Sequence, residues 1–151
     1  MLDQKWDLII IHPTCTALTV AGNSTYGEGK PRYSERLEAV EWTVNLWEAC
    51  KKSSPKVCLE NPVGVLQRLG GMPKPHYVQP YMFGHKEQKK TGLTIYGLEP
   101  LKETDNVYEE MMKLPKRERE RLHYLPPSPD RWKVRSQTFQ GIADAMAEQW
   151  G

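Results

Sequence analysis

Two short apolar runs, each closed by a residue that precedes proline, constrain this chain more than anything else in it. Trp6-Asp7-Leu8-Ile9-Ile10-Ile11 ends at His12-Pro13, and Lys56-Val57-Cys58-Leu59-Glu60 ends at Asn61-Pro62. Runs of this length without alternation suit strands buried on both faces, as in a parallel sheet covered by helices. The residue before a proline is pushed out of helical geometry, which ends each run. A polar loop follows the first run, with Gly22, Asn23, Gly27, Gly29 and Pro31. Then Leu37, Val40, Val44 and Trp47 recur at helical spacing, with Ser34 placed to cap the helix and Lys51-Lys52 to end it. Ser53-Ser54-Pro55 reads as a turn. The result is a βαβ unit with polar loops at the carboxyl ends of both strands.

The rest of the chain is less regular. Tyr77 to Phe83 reads as a short strand that Pro80 confines to an edge or a bend. Gly92-Leu93-Thr94-Ile95-Tyr96-Gly97 reads as a strand, and Val107 to Lys113 and Lys116 to Arg121 as helices. Pro126-Pro127-Ser128-Pro129 is an extended connector. A final helix, opened by Ser136 or Thr138, has Phe139, Ile142, Met146 and Trp150 on one face, and Gly141 in it points to close packing. With 151 residues, five Trp, seven Tyr and two Phe, the chain has enough for one domain with a real core, spanning 1–151. No apolar run approaches the roughly 18–20 residues of a membrane span. The start lacks the basic end and apolar stretch of a signal peptide, and cysteines at 15, 50 and 58 suit a reducing compartment, so a cytoplasmic location is expected.

The formal net charge of +2 is unevenly spread. Residues 113–135 hold eight Lys and Arg against three acids, a local balance of +5. Such a stretch can meet phosphates, although Lys116-Arg117-Glu118-Arg119-Glu120-Arg121 also alternates sign as solvated helices do.

Chemistry concentrates at the two strand ends, because open α/β sheets bind ligands beyond the carboxyl ends of their strands. Cys15 follows the first strand, and Glu60-Asn61-Pro62 ends the second. If the strands are neighbours, a thiol able to act as nucleophile and a carboxylate able to hold a polar edge or carry a proton meet in one crevice. The structural alternatives are a small buried hydrophobe for Cys15 and an ion pair for Glu60. His12, Cys15, His76, His85 and His123 lack the close paired spacing of a zinc site, so no metal is expected. The Trp and Tyr residues could stack on bases, but several, including Trp47 and Trp150, sit at core-facing helical spacing.

A Pro-Cys loop after one strand and Glu-Asn after the next resembles the catalytic half of DNA cytosine-5 methyltransferases. More closely, the chain resembles phage-borne proteins described as DNA cytosine methyltransferase-like. The carrying segments are Trp6 to Cys15, Leu59-Glu60-Asn61-Pro62, Gln79-Pro80-Tyr81-Met82-Phe83-Gly84-His85, Lys90-Thr91, Pro126 to Arg131, and Gln140 to Ala147. The resemblance implies an α/β, Rossmann-like fold, a partial class I methyltransferase-type sheet with helices on both faces, corresponding to the later half of such a domain. It implies Cys15 as nucleophile toward carbon 6 of cytosine, Glu60 as partner of the base edge, and Asn61 as the residue that holds the loop. Pro13, Thr16, Pro62, His85, Arg131 and Arg135 are implied on the substrate side, and Gln140 and Gly141 beside the cofactor, S-adenosylmethionine.

Thr14 and Thr16 stand where that family usually has proline and glutamine around the nucleophile, and Pro62 where it usually has valine. Only five residues precede Trp6. The methyl-donor half is therefore expected from a second polypeptide, a partner subunit or an unusual pocket within this chain, if it is supplied at all. DNA is the implied partner, with a homo-oligomer as a further possibility and no membrane. Two other readings fit the residues: a non-catalytic nucleic-acid or nucleotide-binding phage protein, active for instance in counter-defence, and a small-molecule enzyme on the same scaffold.

Overall fold

The computed structural model describes residues 1–151. It is a mixed α/β structure whose contacts divide it into two compact units: Met1–Tyr77 with Thr91–Pro100, and Val78–Lys90 with Leu101–Gly151. No helix is long and apolar enough to cross a membrane.

In the first unit, β1 (Ile9–Ile11) leads through a short 3-10 turn, Val20–Gly22, and the one-turn helix α1 (Asn23–Tyr26) to the long helix α2 (Tyr33–Ser53). Then come β2 (Val57–Pro62), α3 (Leu66–Gly70), β3 (His76–Val78), whose last residue already belongs to the second unit, and, after the excursion into that unit, β4 (Thr91–Tyr96). The four strands form one sheet in the order β1-β2-β4-β3. β1 runs parallel to β2, with Ile9, Ile10 and Ile11 opposite Val57, Cys58 and Leu59, so the βαβ reading holds. β4 runs antiparallel to β2, from Val57 opposite Tyr96 to Pro62 opposite Thr91, so the sheet is mixed rather than parallel. Val57, Cys58 and Leu59 are all fully buried, which leaves neither face of β2 to solvent.

The core of this unit joins Ile11, Val57 and Leu59 to Val40, Trp47 and Cys50 of α2 and to Leu66 and Met72. The buried face of α2 differs from the expected one. Leu37 is exposed, and its neighbour Arg36 is buried with Val40, Thr43, Trp47 and Cys50. Thr43 satisfies its hydroxyl on the Ala39 carbonyl, 2.7 Å away. Ser34 does not cap the helix: the cap position is Arg32, without a side-chain bond, and Arg32 instead pairs with Glu35 in the first turn. β2 does not stop at Glu60 but runs through Pro62.

The second unit contains a 3-10 turn, Pro80–Met82, then α4 (Tyr108–Met112), α5 (Lys116–Arg119), α6 (Arg131–Ser136) and α7 (Gln140–Trp150). Pro80 opens the turn and converts the rest of the expected Tyr77–Phe83 strand into it, because proline fixes φ near the helical value and donates no ladder bond. α6 was not expected, and α7 begins at Gln140 rather than Ser136 or Thr138. Its buried face is Ile142, Ala145, Met146 and Trp150, close to the expected stripe.

Candidate functional site

The strand-end site lies in the first unit and is built by two loops stitched to each other. After β1, His12 to Cys15 lead into a turn in which the Leu18 N–H donates to the Cys15 carbonyl at 2.9 Å. The Val65 N–H then donates to the Leu18 carbonyl at 2.9 Å and the Val20 N–H to the Val63 carbonyl at 3.0 Å. Thr19 and Gly64 thus form an antiparallel bridge between the loop after β1 and the loop after β2. Gly64 is required at this crossing, since a Cβ there would overlap the Leu18 carbonyl oxygen and the Asn61 amide.

Arg36 fixes the same loop from α2. Its side chain is only 1% exposed, and it donates to the Ala17 carbonyl at 2.7 Å, the Thr19 carbonyl at 2.8 Å and Asn23 Oδ1 at 2.7 Å. All three acceptors are neutral, so carbonyl dipoles rather than a carboxylate hold the guanidinium. Sequence patterning missed this residue because a charge-blind spacing rule assigns the core position to Leu37.

The register of β1 and β2 continues one step beyond Ile11 and Leu59, and it sets His12 beside Glu60. His12 Nδ1 lies 3.2 Å from Glu60 Oε2, with Glu60 only 9% exposed and His12 51% exposed. A carboxylate nearly sealed from water is thus met by an imidazole that water can reach. The sequence presents His12 only as one of several scattered histidines, and the strand pairing gives it this partner. No three His, Cys, Asp or Glu side chains gather closely enough to hold a metal ion.

Alternation along β2 separates the other candidates. Cys58 shares the Glu60 face, and burial, reinforced by the Glu60 charge, pushes its thiol up to about 12. Burial also raises Cys50. Asn61 points the opposite way and is buried, with an Oδ1 that has no partner. It lines a cavity of about 10 Å³ with Pro62, Gly64, Gln67, Tyr77 and Thr94, a space the size of one water and too small for a pyrimidine. Pro13 is half-buried and Thr16 exposed on the loop.

Cys15 is half-buried whereas Cys50 and Cys58 are buried. Since the thiolate is the reacting species, a disulfide reagent at pH 8 is expected to modify one thiol in the native protein and three after denaturation. Peptide mapping should place the native label on Cys15. A label on Cys58 would show that β2 opens in solution.

The remaining candidates belong to the second unit. His85 Nε2 accepts the Gly141 N–H at 2.9 Å, and its ring meets Phe139 edge-on at 5.1 Å. A Cβ on Gly141 would overlap the Phe83 carbonyl oxygen and come within 2.9 Å of His85 Nε2, which explains the glycine by packing. Gln140 bonds Asp144 at 2.7 Å. Arg131 and Arg135 lie on α6, Arg135 exposed and Arg131 with a buried Nε lacking an acceptor. This unit also carries an open cavity of about 610 Å³ lined by Tyr81, Met82, Asn106, Tyr108, Glu109 and Glu110, whose carboxylates would repel a phosphate backbone.

Comparison of the chain with protein-family models, curated proteins and solved structures finds no match to any of them.

Proposed function

We propose that the chain is a DNA cytosine-5 methyltransferase-like protein that acts on pyrimidines in DNA, with Cys15 as nucleophile and Glu60 as partner of the base edge. The observation that supports this reading is the parallel register of β1 and β2. It brings the Cys15 loop and Glu60 to the same end of the sheet, where the loops are stitched together. In the proposed step the Cys15 thiolate adds to carbon 6 of the ring. Glu60 hydrogen-bonds the ring nitrogen and stabilises its protonated form, and carbon 5 becomes enamine-like. A proton taken up at carbon 5 and the original one lost, followed by departure of the thiolate, returns the base unchanged. His12 orients the Glu60 carboxylate from its solvent side. The base must leave the stack to reach this point, at a few kcal/mol that a single-stranded substrate avoids.

The residues do not suit S-adenosylmethionine in the way the resemblance implies. β1 runs into His12-Pro13 and β2 into Val63, Gly27 and Gly29 follow α1 rather than a strand, and Gly141 is taken up by packing. β2 does lead through Gly64 into α3, but Gly64 is taken up by the crossing with the Leu18 carbonyl and α3 has only five residues, so the chemistry proposed for the chain stops at activation of the base.

Exchange of tritium from 5-tritiated cytosine in single-stranded DNA into water tests this reading without a methyl donor. Release above background is expected. Cys15→Ser should abolish it, and Glu60→Gln should lower it about 10²- to 10⁴-fold, the usual contribution of a positioned acid-base group. Release that persists in Cys15→Ser, or none from the parent protein, rejects the proposed chemistry.

A further inference from the structure

The second unit carries a feature that the strand-end chemistry does not use. Its charge is segregated: residues 101–112 hold Glu103, Asp105, Glu109 and Glu110 against Lys102 alone, whereas 113–135 carry the balance of +5. Within the basic stretch, two aromatic rings stand in solvent, Trp132 at 64% and Tyr124 at 40% exposure. Each has a cation over its face, Lys133 Nζ 5.7 Å from the Trp132 ring centre and the Arg117 guanidinium 5.7 Å from that of Tyr124. Lys133 also pairs with Asp130 at 3.3 Å and Arg121 with Glu87 at 2.7 Å, whereas Arg117 and Arg135 are exposed.

From this arrangement we propose that residues 116–124 and 131–135 bind single-stranded nucleic acid. Exposed rings give unpaired bases a stacking surface, and the surrounding cations meet the phosphates; this combination is how sequence-tolerant single-strand binders work. A duplex hides its base faces and is read by a helix laid in the major groove. α5 and α6 have four and six residues, or about 6 and 9 Å of helix, too short for that role. The surface is independent of Cys15 and Glu60, and it commits the unit to a polyanion with accessible bases. The acidic segment of a second copy offers charge without bases.

Fluorescence anisotropy with a labelled oligothymidylate of about 20 nucleotides, against a duplex of equal length, is the test. Tighter binding of the single strand is expected, with affinity falling linearly in log salt at about 0.7 per phosphate engaged. Trp132→Ala and Tyr124→Ala should each weaken binding about 5-fold or more and leave the salt slope unchanged. Arg117→Gln with Lys133→Gln should reduce the slope by about 1.4. Both rings are solvent-exposed, so a far-UV spectrum identical to the parent's is expected for every variant. Cys15→Ser should bind as the parent does, so the loss of tritium exchange and the loss of this surface are separable. Equal or tighter duplex binding overturns the proposal, as do unchanged affinity in the ring variants or sedimentation showing that the basic stretch pairs with a second copy instead.

Discussion

Replacing Arg36 by Met is expected to destabilise the protein by about 2 kcal/mol, and to do so without removing a salt bridge. Met keeps most of the aliphatic volume of Arg36 on the buried face of α2, so the apolar burial changes little. What it removes is the donor set for the Ala17 and Thr19 carbonyls and for Asn23 Oδ1. The Ala17 carbonyl loses its donor, the Thr19 carbonyl keeps only the Gly22 N–H at 3.1 Å, and the exposed Asn23 side chain turns to water, so the cost is that of about one buried acceptor left short, about 1–3 kcal/mol. In a chain of this size the loss appears as a fall of roughly 4–8 °C in Tm. Arg36→Lys should recover less than half of it, because one ammonium cannot span acceptors placed for a planar fork. The loop loses order before the fold does. Disulfide-reagent modification of Cys15 in Arg36→Met should therefore accelerate under conditions where the far-UV spectrum still matches the parent. If Cys15 reacts at the parental rate while stability drops, Arg36 braces α2 alone and does not position the nucleophile loop.

The same residue shows where sequence reasoning reached and where it stopped. β1, β2 and α2 were readable because continuous apolar runs and a 3.6-residue spacing are local signals. The parallel pairing followed from them, since a strand–helix–strand crossover leaves few other connections. Arg36 was hidden because its burial depends on three carbonyls contributed by a loop 13–19 residues away. His12 and Glu60 were both visible as strand-end residues, but their contact depends on register, and a slip of one residue would have turned Glu60 to the other face. The antiparallel docking of β4 on β2 is likewise a long-range choice that leaves no trace in the composition of Thr91–Tyr96. The two compact units were unreadable for a related reason. Each is made of two stretches, so the chain passes between them three times, at Tyr77–Val78, Lys90–Thr91 and Pro100–Leu101, and no single linker divides the sequence into two consecutive halves.

Gly141→Ala gives the second large effect, and its sign distinguishes two roles for the residue. In a helix free of neighbours, exchanging Gly for Ala gains up to about 1 kcal/mol. Here the new methyl meets the Phe83 carbonyl oxygen, with the Phe83 Cβ at 3.1 Å and His85 Nε2 at 2.9 Å. A side chain can yield by rotating, but a backbone carbonyl moves only with the segment that carries it. Phe83 is itself buried, and its N–H is held by the Pro80 carbonyl at 3.0 Å. Relief therefore needs α7 to shift from the Pro80–Met82 turn, breaking the Gly141 N–H bond to His85. Overpacking of this kind costs typically 1–3 kcal/mol, so net destabilisation of about 2 kcal/mol is expected in urea unfolding. Coupling this change to His85→Ala identifies the obstacle. If the imidazole were the main clash, the double variant would be as stable as His85→Ala alone; with the carbonyl as the main clash, most of the loss persists. A neutral or stabilised Gly141→Ala would show that the glycine is not needed for packing, and would leave the cofactor-side role implied by the family resemblance as the reason for it.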